Sequence, residues 1–243
     1  MVEFVARIAH LVSTMISRRR LLGSMSALAA ISPVSALAGT RCLPASFGIR
    51  TCEVSLPYQA GVAATQNCDS WCWAACIQMV FSTYGKGVAQ EAAAKRLFNS
   101  YKCEGATVDQ IVQTITGEWR DWRGVPFHAS ARMLPKAGMA IAISSGSDGN
   151  RPPGYIDQMW SSSGGARQII HELENGRPLI NLAAGHATVI VGATYQQNEL
   201  FQSGPIGLNK IVILDPWPES KRLRELTAQE ISQQFLPISI AVG

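Results

Sequence analysis

The chain is short of charge and of aromatic rings: 16% of its 243 residues are charged and 7% aromatic, against 47% hydrophobic. That balance excludes a collagen-like or disordered polymer and leaves a globular protein, long enough for one domain or two small lobes. Basic residues are few once the N-terminus is set aside. Removing Arg7, Arg18, Arg19, Arg20 and the lone Glu3 from the 21 basic and 17 acidic residues leaves 17 and 16. No basic stripe remains, so nucleic-acid binding finds little support. Internal repeats are absent. Beyond the N-terminal segment no apolar run is long enough to span a bilayer.

Residues 1–38 read as an address. Ser17-Arg18-Arg19-Arg20-Leu21-Leu22 resembles a twin-arginine export motif. An apolar run from Leu21 to Val34 follows, then the small-residue pattern Ala36-Leu37-Ala38, which predicts cleavage after Ala38. The competing reading is an uncleaved membrane helix; the run is short for one, rich in alanine and serine, and broken by Pro33. Met15 is an alternative start that shortens the leader without changing its meaning. The expectation is a periplasmic or extracellular protein with no membrane anchor after cleavage. All six cysteines (Cys42, Cys52, Cys68, Cys72, Cys76 and Cys103) lie beyond that point, and an oxidising compartment permits disulfides among them.

Residues 39–57 form a lead-in with two cysteines and no clear periodicity. Asp69 or Ser70 then offers a helix N-cap, and Trp73, Cys76, Ile77, Val80, Phe81 and Tyr84 recur at helical spacing up to Gly85. Val88–Asn99 predicts a second helix. A third starts at Thr107, with Gln110 completing a capping box. After Gly117 the pattern changes. Ala140–Ser144 is a strand candidate, Ser144–Gly165 a surface loop, and Ala166–Asn175 a helix closed by Gly176. Leu179–Leu182, Ala187–Tyr195, Lys210–Leu214 and Ile238–Val242 read as strands. Helices first and strands later predict an α+β protein. Its helical lobe, about 58–120, packs on a mostly antiparallel sheet lobe, about 121–243.

Cys72 sits in the first turn of the first helix, where backbone N–H groups and the helix dipole favour a thiolate. Its base must come from four histidines. His10 is in the leader, His128 lies in an unplaced segment, and His171 sits beside Glu172 on an amphipathic helix. His186 opens the apolar run Ala187–Gly192. A core imidazole bonded to backbone is the plain structural reading, and the thiol outweighs it. Asp215 ends the next apolar run in Leu214-Asp215-Pro216-Trp217. It can orient the imidazole, or serve only the turn that Asp-Pro starts.

These residues resemble the papain-like cysteine peptidases, in which a Gln precedes a Cys-Trp-Ala nucleophile motif by six residues. Gln66, Cys72, Trp73 and Ala74 match without a gap, and Gly185-His186-Ala187 is similar to the histidine block. Asp215-Pro216-Trp217 stands where plant and animal members carry Asn-Ser-Trp, a substitution shared with compact bacterial branches. The resemblance spans Gln66–Trp217 and implies a papain-like fold acting on a peptide or protein substrate. It casts Cys72, His186 and Asp215 as the triad and Gln66 as an oxyanion donor, with Trp73 and Trp217 shaping the site. Only about 33 residues separate Ala38 from Cys72, so no long inhibitory propeptide fits.

The resemblance also implies a Cys68–Cys103 staple; elimination and proximity then pair Cys42 with Cys52. Cys76 stays free, because side chains at i and i+4 stand about 5–6 Å apart at Cβ and a disulfide prefers about 3.8 Å. The spacing Cys68, Cys72, Cys76 raises a metal or redox reading. No two of these cysteines lie two residues apart as in zinc and cluster sites, and Cys72–Cys76 is one residue too long for Cys-x-x-Cys. No metal or other cofactor is expected, and the chain is read as a monomer. Competing functions are a catalytically silent papain-like binding protein, or an acyl transferase or amidase on the same fold.

Overall fold

The computed structural model describes residues 38–57, 61–135, 163–199, 207–227, 230 and 236–243. Residues 1–37 of the expected leader, the Ala140–Ser144 strand candidate and most of the expected Ser144–Gly165 loop lie outside them.

Among the described residues, helices form where hydrophobic spacing predicts them: α1 (Cys72–Thr83), α2 (Gln90–Phe98), α3 (Val108–Ile115) and α4 (Ser163–Glu174). Thr107 caps α3 with both bonds of the capping box in place. Helix α1 buries Trp73, Ala74, Ala75, Cys76, Ile77, Met79, Val80 and Phe81, and so is the central rod of the molecule.

The strands are β1 (Gly39–Cys42), β2 (Ile49–Ser55), β3 (Gly117–Arg120), β4 (Pro126–Met133), β5 (Leu179–Ala183), β6 (His186–Asn198), β7 (Gly207–Leu214), β8 (Leu223–Glu225) and β9 (Leu236–Val242). All their pairings are antiparallel. The fold is α+β, with the helices packed on a single sheet. The lead-in that shows no periodicity is the β1–β2 hairpin, and β2 pairs with β6.

Strand β6 is the hub. One edge meets β5 at His186–Ile190 and β2 at Gly192–Asn198; the other meets β7. Both faces of β5 and β6 are covered. Ile180, Val189 and Val191 join the core with α1, while Leu179 and Ile190 join the core with α4. That two-sided burial explains the unbroken apolar run. A bulge between Ile190 and Gly192 advances the alternation by one residue, so Ala193 and Tyr195 take over the α4 side. Gly192 fits there because a Cβ would stand 3.1 Å from the Val54 carbonyl.

Candidate active site

Cys72 is the first residue of α1. Asp69 and Ser70 do not cap that helix: Trp71 precedes it, and no side chain bonds to its first turn. The preceding turn accounts for this. Trp71 N–H donates to the Cys68 carbonyl at 2.9 Å, and the Asp69 carbonyl accepts from Gln66 Nε2 at 2.8 Å. First-turn amides with no side-chain cap are free to serve a sulfur or an incoming anion.

The expected disulfides, Cys68–Cys103 and Cys42–Cys52, are both present, and Cys72 and Cys76 are free. Pairing Cys68 with Cys103 takes it out of the four-residue cysteine series. Residues 102–104 are held against α1 by three ties. They are the disulfide, Trp71 Nε1 to the Lys102 carbonyl at 2.8 Å, and Trp73 Nε1 to the Glu104 carbonyl at 3.1 Å. Trp73 is fully buried behind the thiol and meets Phe98 edge-on.

His186 opens β6 after a two-residue turn in which Ala184 (φ 50°) and Gly185 (φ 77°) both have positive φ. Such tight hairpin turns aim the next side chain with little freedom. Its Nε2 lies 2.8 Å from Asp215 Oδ1, leaving Nδ1 for the Cys72 thiol, whose ionised form the imidazole favours. Trp217, itself exposed, stands edge-on to the imidazole with ring centroids 6.0 Å apart.

Asp215, 2% exposed, is saturated with donors. Oδ1 takes His186 and the Trp217 N–H at 2.9 Å; Oδ2 takes Arg224 Nε at 2.9 Å. Arg224 in turn pairs with Glu230. Sequence reading does not single out Arg224 or Glu230, because a basic residue on a short exposed strand carries no signal of its own. The Thr227-Ala228-Gln229-Glu230 capping pattern is the one available hint.

These contacts set the protonation states. For Cys72, burial opposes ionisation. The hydrogen bond from His186, the Ala187 amide, the imidazolium charge and the Trp73 amide outweigh it and hold the thiol below its ordinary 9.0. Burial would likewise lower His186, but its bonds to Asp215 and Cys72 raise it to about 9. Asp215 is pushed up by burial and pulled further down, to about 2, by His186, the Trp217 amide and Arg224. Cys76, one turn beyond Cys72, is driven well above 9.0 by burial and behaves as a core side chain.

Gln66 is buried beside this group, its N–H on the Pro216 carbonyl at 3.0 Å. Both hydrogens of its amide are committed, to the Cys68 and Asp69 carbonyls at 3.0 and 2.8 Å, and its Oε1 has no partner. Gln90 of α2 braces the same segment, accepting the Asn67 N–H and donating to the Thr65 carbonyl. Of the remaining histidines, His128 lies on β4 against Glu118, and His171 is exposed on α4.

Cys72, His186, Asp215 and Trp217 line one open cleft of about 410 Å³, floored by Leu182 and bounded by Gly105 and Ala106 on the disulfide-held loop. Residues 53–239 match the Peptidase_C39 like family. The chain belongs to that family. It is therefore a member of the papain-like cysteine peptidase superfamily, as its Gln, Cys, His and Asp blocks suggest. Among solved structures the family member is similar to the crystal structure of UfSP from C. elegans, with 10% identity and a TM-score of 0.40. That match covers 88% of this chain and 36% of the other, so this chain spans about a third of its length. Comparison with curated proteins gives no match.

Proposed function

We propose that this family member is an exported cysteine peptidase that cleaves peptide bonds through an acyl-enzyme on Cys72. The observation that carries the reading is the row Cys72, His186, Asp215 at an open cleft, with the imidazole bonded to Asp215 and the thiol held below its ordinary range beside it. The Cys72 thiolate attacks the substrate carbonyl carbon and forms a C–S bond. The tetrahedral oxyanion is met by the Cys72 N–H and by Gln66, once substrate takes one of the amide hydrogens now given to Cys68 or Asp69. The C–N bond breaks as imidazolium passes its proton to the leaving amine. Neutral His186 then takes a proton from water; the hydroxide attacks the thioester carbonyl, and the carboxylic acid leaves with the thiolate and imidazolium restored. Asp215 orients His186 and favours its charged form. Trp217 shields that contact from water.

Export is supported by the Ser17–Ala38 pattern and by two disulfides. Among the described residues no helix is long and apolar enough to cross a membrane. The test is hydrolysis of a mixed peptide library by the wild type and by Cys72→Ala. Loss of every cleavage product in the variant supports the proposal; products that persist without the thiol refute it.

A further inference from the structure

The most heavily bonded contact in the cleft lies one step beyond the Cys, His and Asp row. Arg224 gives Nε to Asp215 Oδ2 at 2.9 Å, and its Nη2 lies 2.8 Å from the same oxygen as an ion pair. From its other side it gives Nη1 and Nη2 to Glu230 Oε2 and Oε1, at 2.9 and 2.6 Å. Glu230 is anchored too: Oε2 accepts the Thr227 N–H at 2.8 Å, and its own N–H reaches Thr227 Oγ1 at 3.2 Å. Those are the reciprocal bonds of a capping box. The guanidinium is thus a fixed fork, not a swinging surface charge. It occupies Oδ2 while the Trp217 amide and His186 occupy Oδ1, so the carboxylate has no free direction in which to turn.

Building on the function proposed above, we infer that Arg224 is a positioning residue that acts through Asp215 to meter the negative charge His186 feels. Glu230 decides how much of the guanidinium charge Asp215 receives. Asp215 and Glu230 each bring one negative charge and Arg224 one positive, a net of one negative beside the imidazole. The other titratable groups around it are Cys72 and Cys76 on α1, Asp69 across the cleft, and Glu219, which holds Trp217 Nε1.

The two partners act in opposite directions. Removing the Arg224 charge leaves two carboxylates near His186, which then keeps its proton to higher pH. Neutralising Glu230 commits Arg224 wholly to Asp215, and His186 releases its proton earlier. A merely structural role would loosen Asp215 in both variants and let His186 fall toward its ordinary 6.5 in both. The sign therefore separates the two accounts.

The experiment is an NMR titration of the His186 ring in the full chain, with Cys72→Ala to remove the coupled thiol and His186→Gln for assignment. Arg224→Met is expected to raise the midpoint by about one pH unit, and Glu230→Gln to lower it by a similar amount. Arg224→Lys keeps the charge and stays near the parent. Arg224→Gln, which retains a donor to Asp215, stands in if the Met variant does not fold. Shifts of the same sign, or none, overturn the inference while leaving the peptidase reading intact. A parent midpoint at 6.5 instead overturns the His186–Asp215 pairing, and both proposals with it.

Discussion

His186 keeps its proton up to about 9 when folded and up to 6.5 when unfolded. Its contact therefore stabilises the fold fully below 6.5 and loses that effect as pH rises through 9. Asp215 runs the other way: about 2 when folded against 3.8, so its contribution is complete above 3.8 and vanishes as pH falls through 2. The pair helps most between 3.8 and 6.5. Thermal denaturation of His186→Gln is expected to show its largest deficit there and a narrowing gap towards pH 9 and above; a gap that ignores pH would count against the pairing. If the proposed peptidase activity holds, the basic limb of kcat/KM is expected near 9, where imidazolium is lost. Asp215→Asn removes the charge that raises His186, so that limb should move toward acid. Gln66→Ala should lower kcat on the order of 100-fold if its amide meets the oxyanion, and little if its bonds to Cys68 and Asp69 are its whole role. Cys72 and Gln66 were legible because they form a motif, and His186 because a polar ring opens an apolar strand. Arg224 was not, since what gives it meaning is a partner nine residues back and another six ahead, brought together only by the β7–β8 pairing.

Among the elements, the turn between β5 and β6 carries a local cost. Ala184 takes a positive φ of 50° that a Cβ disfavours. Ala184→Gly or Ala184→Asn is expected to stabilise the protein by about 1 kcal/mol, read from chemical denaturation, with Cys72 alkylation unchanged. Loss of stability instead would show that Ala184 makes a contact worth more than its strain. The helices were readable because apolar residues recur along them at helical spacing, although α1 is buried nearly all round. So were β5, β6, β7 and β9, whose continuous apolar runs follow from cover on one or both faces. The strands that escaped sequence reading are β1, β3 and β8, short and largely exposed, and β2 and β4, which bury only a few residues each. Their identity comes from pairing with distant partners, which no local pattern records. The N-cap expected at Asp69 or Ser70 failed for a related reason: the disulfide and Gln66 had already claimed that turn.

In the whole molecule, two distant parts must meet to make the cleft: α1 with its stapled loop, and the β5–β6–β7 edge of the sheet. The Cys68–Cys103 bridge closes a span of 35 residues, worth about 3–4 kcal/mol on loop-closure entropy. A Cys68→Ala, Cys103→Ala double variant should lose stability of that order in urea, and an unchanged midpoint would mean that Trp71 and Trp73 hold the loop unaided. The α+β class was legible from the order of helices and strands; sheet topology, with late β9 between β5 and early β4, was not. In the proposed mechanism Cys72 is a nucleophilic thiolate poised by His186. Its most direct test is intact-mass and peptide mapping of folded protein exposed at neutral pH to an epoxide inhibitor of cysteine peptidases. One adduct is expected, on Cys72, lost in His186→Gln and never on Cys76. An unlabelled Cys72, or labelling indifferent to His186, would contradict it.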